Sequence, residues 1–323
     1  MNIAIVGCGL IGQKRALNAG KHTVTWVTDV KPDAARALAA KIPSAMVANN
    51  YKEMLQASNI DIVVIATPHN LLSPIALACL EARKHVLMEK PGGLNPEEIR
   101  RIITKSESWK RLVRVGYNHR FHPSLFKAKE MINAGQLGPL MFLRGRYGHG
   151  ARPGYETEWR ADARQSGGGE GIDQGVHLVD LSRWYLGDFM AVQGYAPTYF
   201  WDMKVEDNIF MLLKTRAGQA AWLHASWTEW KNLFSLEIYG RNAKLHIEGL
   251  GGSYGTEKLT HYKMLPQMGP PEVETWEFPG ADTSWALEFE HFVAAVEGRP
   301  SSCATLQDAL ANMETIHQVY AQR

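Results

Sequence analysis

The feature that most constrains the fold is a regular alternation of short apolar runs and helical patterns over the first third of the chain. Six runs predict strands: NIAIVG (2–7), TVTWVT (23–28), SAMVA (44–48), DIVVIAT (61–67), HVLM (85–88) and RLVRVG (111–116). Uniformly apolar strands that alternate with helices form a parallel sheet covered on both faces. We therefore expect a doubly wound, Rossmann-type α/β domain over residues 1–120.

The pattern changes after residue 120. Six further runs predict strands, at residues 139–147, 207–215, 219–227, 233–240, 243–249 and 258–264, and helices are predicted at 123–135, 172–187, 284–298 and about 305–321. Several of the strands are joined by short turns, which favours antiparallel pairing. Residues 121–323 are thus expected to form an α+β domain with a large, mostly antiparallel open sheet. Its C-terminal helix is free to pack back on the first domain.

The strand within 219–227 has large apolar groups on both of its faces. Alternation places Trp222, His224 and Ser226 on one face, and Ala221, Leu223, Ala225 and Trp227 on the other. We expect one face to pack on helices and the other on a second subunit, with coverage by loops as the alternative. The pattern thus predicts a homodimer or homotetramer formed through the C-terminal sheet.

Composition excludes several classes of protein. The chain has 323 residues and a net charge of +2, which shows no excess that would indicate nucleic acid or an anionic membrane as partner. No apolar run approaches the roughly 20 residues that span a bilayer. Met1 leads directly into a strand, so no signal peptide is expected. Cys8, Cys79 and Cys303 are far apart and predict buried thiols rather than ligands or disulfides. A cytoplasmic protein is expected.

The segment GCGLIG follows the first strand and opens a helix. Gly7, Gly9 and Gly12 permit a tight turn, close approach of the backbone to a pyrophosphate, and close packing of helix on strand. The helix N-terminus offers N–H groups and partial positive charge to phosphates. A glycine turn with only a structural use is the alternative. The pattern predicts a dinucleotide site.

Asp29 ends the second strand, 22 residues after Gly7, where a carboxylate binds the ribose 2′-hydroxyl. This carboxylate would repel a 2′-phosphate, and the next residue is Val30 rather than an arginine. NAD is therefore expected as the cofactor. Lys31 and the Lys14–Arg15 pair keep NADP open.

Two strand ends, ATPHN (66–70) and MEKPGG (88–93), carry polar and charged residues. Ligands of open parallel sheets bind at the carboxyl ends of the strands, so both segments are expected to face the nicotinamide half of the cofactor. On spacing alone, Lys90 is either a residue of this cleft or an ordinary charged strand end. Glu89 is either a charge partner or a cofactor contact, and a cis bond between Lys90 and Pro91 is predicted.

Asp173 and His177 are four residues apart in the predicted helix 172–187, which places them on one face about one turn from each other. Histidine is the usual group for moving a hydroxyl proton near neutral pH. An amphipathic helix with a partly buried histidine is the alternative. A zinc site of Asp173, His177 and Asp180 has no supporting cluster, so no metal is expected. His119 and His122 are interpreted as loop or helix-cap residues.

The segments GCGLIG, ATP, ARKHVLMEKP, VGYNHRF, WRAD (159–162) and SGGGEGIDQGVHLVDLSRW (166–184) occur here in one order. In this the chain resembles the Gfo/Idh/MocA oxidoreductases. The resemblance implies that Lys90, Asp173 and His177 are catalytic. It also implies a cofactor cleft formed by Gly7, Gly9, Leu10, Ile11, Gly12, Asp29, Thr67, Pro68, Asn70, Glu89, Lys90 and Asn118.

The chain departs from the family at TPHNLL. Family members often read TPNxxH after the fourth strand, and Leu72 stands where that histidine would be. Any contact made by the histidine is therefore in doubt, with His69 or Asn70 as possible replacements.

The loop 147–162 is expected to bind substrate together with Lys90, Asp173 and His177. Its candidate residues are Tyr147, His149, Arg152, Tyr155, Trp159 and Arg160. Aromatic faces stack on pyranose C–H groups, and arginines bind hydroxyl or acidic groups. A loop that packs only on its own aromatic residues is the alternative.

The resemblance implies hydride transfer between NAD(P) and a secondary ring hydroxyl of a sugar, sugar nucleotide or cyclitol. His177 would move the hydroxyl proton, Lys90 would stabilise the alkoxide, and Asp173 would orient the site or hydrogen-bond the substrate. Two alternatives remain open. One is a redox-neutral enzyme that recycles bound NAD while it cleaves a glycoside, and the other is a sugar-sensing regulator without catalysis.

Overall fold

The computed structural model describes residues 1–267 and 269–322. The chain divides into two compact units. The first comprises residues 1–118 and 285–310, and the second comprises residues 119–284 and 311–323. The first unit is thus discontinuous in sequence, whereas the sequence analysis expected one boundary near residue 120.

The first unit contains a parallel sheet of six strands. They are β1 (Asn2–Val6), β2 (Thr23–Thr28), β3 (Met46–Val47), β4 (Ile62–Ile65), β5 (His85–Glu89) and β6 (Val113–Gly116). Their spatial order is β3-β2-β1-β4-β5-β6, which is the doubly wound order of dinucleotide-binding domains. The prediction of a Rossmann-type sheet is confirmed.

Five helices of the first unit precede residue 118, and a later segment adds to it. The five are α1 (Leu10–Leu17), α2 (Pro32–Ala39), α3 (Tyr51–Met54), α4 (His69–Glu81) and α5 (Pro96–Trp109). The later segment carries most of α9 (Ser284–Val296) and the start of α10 (Leu306–Tyr320). It joins the sheet at β6, where Val115 N donates to Ala304 O at 3.2 Å.

The second unit contains an eight-stranded sheet. Its strands are β7 (Leu140–Gly148), β8 (Phe189–Tyr195), β9 (Asn208–Thr215), β10 (Ala220–Ser226), β11 (Leu233–Gly240), β12 (Ala243–Glu248), β13 (Glu257–Lys263) and β14 (Glu272–Phe278), in the order β14-β13-β12-β11-β7-β10-β9-β8. All neighbours pair antiparallel except β7 and β10. The predicted large, mostly antiparallel sheet is confirmed, and β8 and β14 are two strands that were not predicted.

The helices of the second unit lie along the chain as α6 (Pro123–Asn133), α7 (Ala163–Ser166) and α8 (Val176–Leu186), followed by the end of α10. Helix α8 packs on one face of the sheet. A Cβ placed on Gly145 in β7 would lie 3.1 Å from Leu178 in α8 and 3.2 Å from Leu223 in β10. The other face of β10 presents Trp222, whose side chain is 49% exposed. One face of β10 therefore packs on a helix, as predicted, and the other face is partly exposed.

Among the described residues, none of the helices has the length and apolar character needed to cross a membrane. Cys8, Cys79 and Cys303 are buried and free. Burial, followed by the nearby charge of Asp29, raises the pKa of the Cys8 thiol to about 12, so this group stays neutral.

Candidate active site

The glycine turn after β1 uses its three glycines for different reasons. Gly7 has a φ of +91°, and a Cβ there would lie 2.3 Å from the carbonyl oxygen of Ala66. A Cβ on Gly12 would lie 1.8 Å from the carbonyl oxygen of Gly7. Both positions therefore require glycine for packing. A Cβ on Gly9 would meet nothing within 4 Å, so this position leaves open space beside the first turn of α1.

The open space at Gly9 suits a pyrophosphate at a helix N-terminus. Helix α1 begins with Leu10 and Ile11, and the N-cap position is Gly9 itself. The carboxylate of Asp29 is held beside this turn because its Oδ2 accepts from the backbone N–H of Cys8 at 2.7 Å, while its Oδ1 accepts from that of Lys31 at 2.8 Å. The turn, the helix start and the carboxylate together fit a dinucleotide.

Gly9→Ala tests this fit directly. The backbone at Gly9 has a φ of −68°, which alanine adopts easily, and no protein atom would contact the added methyl group. We expect a free energy of unfolding within about 0.5 kcal/mol of the wild type. The methyl group would nevertheless occupy the pyrophosphate space, so we expect the Kd for NAD to rise at least ~10-fold, about 1.4 kcal/mol. Urea unfolding and calorimetric titration measure the two quantities, and equal NAD affinity would contradict the assignment.

Arg15 in α1 connects the glycine turn to the end of β5. Its Nε donates to Oε1 of Glu89 at 2.7 Å, and its guanidinium also pairs with Glu288 in α9. All three side chains are buried. Glu89 is therefore the charge partner of Arg15, and its position directly before Lys90 makes this ion pair a brace for the end of β5.

Lys90 lies directly after β5 and is half-buried. The Lys90–Pro91 bond is cis, as expected from the sequence. After β4, Thr67 Oγ1 and, in the first turn of α4, Asn70 Oδ1 are buried atoms for which the described residues provide no hydrogen-bond partner. Buried polar atoms rarely stay unpaired, so these two atoms fit a ligand bound at this end of the sheet. Leu72 is fully buried and packs in the core.

In the second unit, the predicted helix 172–187 begins as a π-helical turn over Gly171–Gly175 and becomes α-helical at Val176. The prediction that this first turn is α-helical is therefore wrong, and the placement of Asp173 and His177 on one face stays a prediction. The cause is tertiary, because Glu206 Oε1 accepts from Gly171 N at 3.0 Å and also from the Tyr320 hydroxyl of α10. A Cβ on Gly169 would lie 2.0 Å from Glu206 O, which explains a glycine there.

Asp173 and Arg160 form an ion pair, with Arg160 Nε 3.2 Å from Asp173 Oδ2. The charge of Asp173 is the main reason that the pKa of Arg160 is raised. His149 lies near both groups, and its pKa is lowered, first by burial. Its Nδ1 accepts from the backbone N–H of Ala151 at 2.9 Å, so this nitrogen carries no proton.

His177 is buried in α8 and stacks on His119, with ring centroids 3.7 Å apart and an interplanar angle of 22°. His119 Nε2 lies 3.1 Å from the hydroxyl of Tyr147. Burial is the largest of the causes that raise the pKa of Tyr147, followed by the proximity of Tyr254. Tyr147 therefore stays protonated, and its hydroxyl hydrogen-bonds with His119 and with Tyr254. The second unit places His177 inside a buried polar cluster.

Sequence reasoning missed several members of this cluster. His119 was interpreted as a loop or cap residue, and Tyr254, Gln174 and Glu170 were not singled out. Gln174 Nε2 donates to the Tyr254 hydroxyl at 3.0 Å, and Glu170 is fully buried close enough to influence both tyrosines. The sequence signal that could have identified His119 is its place in the family motif VGYNHRF. No local sequence pattern indicates Tyr254.

The remaining candidate substrate residues of the loop 147–162 lie in different environments. Tyr155 is buried against Trp227, with ring centroids 4.9 Å apart, in a cluster that includes Val205. Arg152 is exposed and paired with Glu158. Trp159 is partly buried under the guanidinium of Arg160 at 4.5 Å. Their contact with substrate stays a prediction.

Asp180, considered above as a zinc ligand, forms an ion pair with Arg120. Arg120 Nε and Nη2 donate to the two carboxylate oxygens at 2.7 and 2.6 Å, and Asn312 Nδ2 donates at 3.0 Å. This arrangement explains the buried carboxylate without a metal. Over residues 1–267 and 269–322, no group of three or more His, Cys, Asp or Glu side chains is placed to hold a metal ion.

These features define a class: a two-unit α/β protein whose first unit is built for a dinucleotide. Residues 1–117 match the sequence model described as "Oxidoreductase family, NAD-binding Rossmann fold", and residues 126–246 match the GFO/IDH/MocA C-terminal domain. Together the two matches cover more than half of the chain. The chain belongs to the Gfo/Idh/MocA oxidoreductase family, and its first unit is an NAD-binding Rossmann domain.

Individual relatives agree with this membership. The chain is 26% identical to levoglucosan dehydrogenase of Pseudarthrobacter phenanthrenivorans over 62% of its own length and 54% of the relative's. It is 27% identical to D-glucoside 3-dehydrogenase of Escherichia coli over 99% and 94% of the two lengths. Over several curated relatives, the match spans only between half and two thirds of the relative's length.

The fold is also that of a solved structure, levoglucosan dehydrogenase in complex with NADH. The two structures superpose with a TM-score of 0.88 at 20% identity, over 100% of this chain and 97% of the other.

Proposed function

We propose that the protein is an NAD-dependent dehydrogenase that acts on a secondary ring hydroxyl of a sugar, sugar derivative or cyclitol. The observation that carries the proposal is that an NAD-binding Rossmann unit of this family occurs together with Lys90, Asp173 and His177 at the matching motif positions. The relatives' names, dehydrogenases of levoglucosan, D-glucosides and inositol, support this substrate class.

In this proposal His177 accepts the proton from the substrate hydroxyl. The ring of His119, which is itself hydrogen-bonded to the Tyr147 hydroxyl, stacks on this imidazole and holds it in place. The ammonium group of Lys90 stabilises the developing alkoxide by charge and hydrogen bonding. Asp173, oriented by Arg160, accepts a hydrogen bond from a neighbouring hydroxyl of the substrate. Bound NAD supplies the hydride acceptor.

NAD is preferred over NADP in this proposal, for three reasons. The Asp29 carboxylate is held at the glycine turn, where it would repel a 2′-phosphate. Val30 is 88% exposed and offers no positive charge. Arg15, one of the cations that kept NADP open, is buried and committed to Glu89 and Glu288.

A substrate panel tests the proposal. Sugars, glycosides, inositols and sugar nucleotides are supplied with NAD and with NADP separately, and NADH or NADPH is followed by absorbance. Reduction of NAD with at least one ring polyol supports a dehydrogenase. Product release without net NADH would instead support redox-neutral glycoside cleavage, and binding without any reaction would support a sensor.

The open face of the second sheet is proposed to pair with a second copy of the chain. Trp222 and its cross-strand neighbour Leu212 are both about half exposed there. Two ring pairs extend this apolar area, with Phe142 stacked on Tyr239 at 4.3 Å and Phe210 stacked on His224 at 4.2 Å. Exposed apolar area of this kind on a sheet is typical of a subunit interface.

Trp222→Glu is expected to convert this oligomer to monomers, because it removes the large apolar ring of this face and places there a charge that the interface would have to desolvate. Light scattering after size-exclusion chromatography measures the mass. Leu17→Glu, at an exposed position of α1 in the first unit, is the matched control and should leave the mass unchanged. A monomeric wild type, or an unaltered mass for Trp222→Glu, would exclude this interface.

A further inference from the structure

Three connections of the second unit meet at one end of the central strands of its sheet. β7 and β10 run parallel, so the segments that follow them, 149–162 and 227–232, leave the sheet at the same end. The segment 196–207 enters β9, which is antiparallel to β10, at that end too. A cavity of about 590 Å³ lies among them, lined by Ala151, Arg152, Glu156, Phe200, Trp201 and Trp230, with Asp202 beside them.

The walls of this cavity are aromatic and exposed. The Phe200 ring is 4.7 Å from the Trp230 ring at 88° and 5.1 Å from the Trp201 ring at 86°. Trp230 and Phe200 are 66% and 56% exposed, whereas Trp201 is fixed through its indole N–H, which donates to Trp227 O at 3.1 Å. Exposed indole faces on a fixed base are suited to stacking on the C–H face of a sugar ring.

The backbone provides a second, independent observation. Trp230 has a φ of +59° and Ala151 a φ of +52°, a region that side-chain-bearing residues rarely adopt. Such strain is retained where the surrounding structure requires the residue, commonly at ligand sites. Glycine would adopt this conformation at Trp230 without strain. A large exposed indole at a strained position indicates that the ring itself is used.

The charges of the cavity select the kind of ligand. Arg152 is already paired with Glu158, while Glu156 and Asp202 add two exposed carboxylates. This balance disfavours a phosphate or carboxylate ligand. Carboxylates beside aromatic rings instead suit a neutral ring whose hydroxyl groups donate hydrogen bonds.

The cavity shares a loop with the catalytic candidates of the second unit. Residues 150–153 and Glu156 line it, and Arg160 of the same loop binds Asp173 at 3.2 Å. We propose that this cavity is a subsite for the second ring of the substrate, so that the enzyme acts on a disaccharide or other two-ring glycoside. The inference rests on the proposed function for its substrate, but its binding step can be measured without turnover.

Trp230→Gly tests the subsite because it removes the indole and relieves the backbone at once. Calorimetric titration of the NAD-loaded protein with cellobiose, maltose and lactose, and with methyl β-D-glucopyranoside as a one-ring probe, gives the Kd values. We expect at least one disaccharide to bind more tightly than the one-ring probe. Trp230→Gly should raise the Kd of that disaccharide at least 10-fold more than it raises the Kd of the probe. The thermal midpoint should not fall.

Tyr199→Ala is the matched control, since Tyr199 is 65% exposed in the connection that carries Phe200 and Trp201 but does not line the cavity; it should leave the ratio of the two Kd values unchanged. Wild-type protein that binds no disaccharide more tightly than the probe would overturn the subsite. So would equal effects of Trp230→Gly on both ligands, or a lower oligomer mass for Trp230→Gly, which would assign the rings to a subunit contact. Failure of the proposed function is distinct, because it would leave disaccharide binding intact while no sugar reduces NAD.

Discussion

Replacing Lys90 with methionine is expected to slow NAD reduction in a single turnover by about 10²- to 10³-fold, the usual cost of removing one preorganised charge from a developing oxyanion. His177→Ala should lower the same rate by about 10²- to 10⁴-fold, because the hydroxyl proton then has no positioned acceptor. Both variants should still bind NAD, since the glycine turn and Asp29 are unchanged and Lys90→Met removes only one contact at the nicotinamide half of the cleft. Stopped-flow absorbance and NAD titration measure the rate and the affinity.

The matched controls are Lys105→Met, which removes a partly exposed lysine of the first unit that pairs with Glu81, and His261→Ala, which removes a histidine of the second sheet. Both should keep the wild-type rate within about 2-fold. Wild-type rates in both Lys90→Met and His177→Ala would reject the assigned roles. A lower rate in only one of the two variants would support the role of that residue and reject the role assigned to the other.

Arg15→Met is expected to lower the free energy of unfolding by about 3–5 kcal/mol, because it leaves the buried carboxylates of Glu89 and Glu288 without their cation. Adding Glu288→Met should restore part of the loss, since one of the two uncompensated charges is then gone. Urea unfolding followed by circular dichroism measures both changes.

Arg36→Met is the control for Arg15→Met. Arg36 pairs with Asp33 on the surface of α2, and exposed pairs of this kind contribute about 0–1 kcal/mol. A loss for Arg15→Met no larger than that for Arg36→Met would show that the buried cluster does not brace the end of β5.

The first sheet could be predicted because its central strands are buried on both faces and read as unbroken apolar runs. The two edge strands of the second sheet give a weaker pattern. β8 (FMAVQGY) and β14 (EVETWEF) lie at the two edges of the second sheet and are largely exposed. The apolar start of β8 ends after four residues, and β14 contains three glutamates. Both were missed for this reason.

The candidate site likewise contains residues that the sequence could place and residues that it could not. Lys90 and Asp29 could be placed from sequence because strand ends of a parallel sheet have a known use. The stacking of His119 on His177 could not, because these residues come together only through the packing of two distant segments. The π-helical turn at Gly171–Gly175 likewise depends on Glu206, which approaches from another connection.

The discontinuous first unit has a consequence for biosynthesis. A ribosome releases residues 1–118 early, but Glu288 and the segment 285–310 emerge only after almost the whole second unit has been made. Until then Arg15 has only one of its two carboxylates, and β6 lacks the strand-edge contact from Ala304 to Val115. Domains commonly fold as units during synthesis, the N-terminal one first. Here the nascent nucleotide-binding unit is complete only once residue 310 has been made, and the second unit, which also includes residues 311–323, is completed after it.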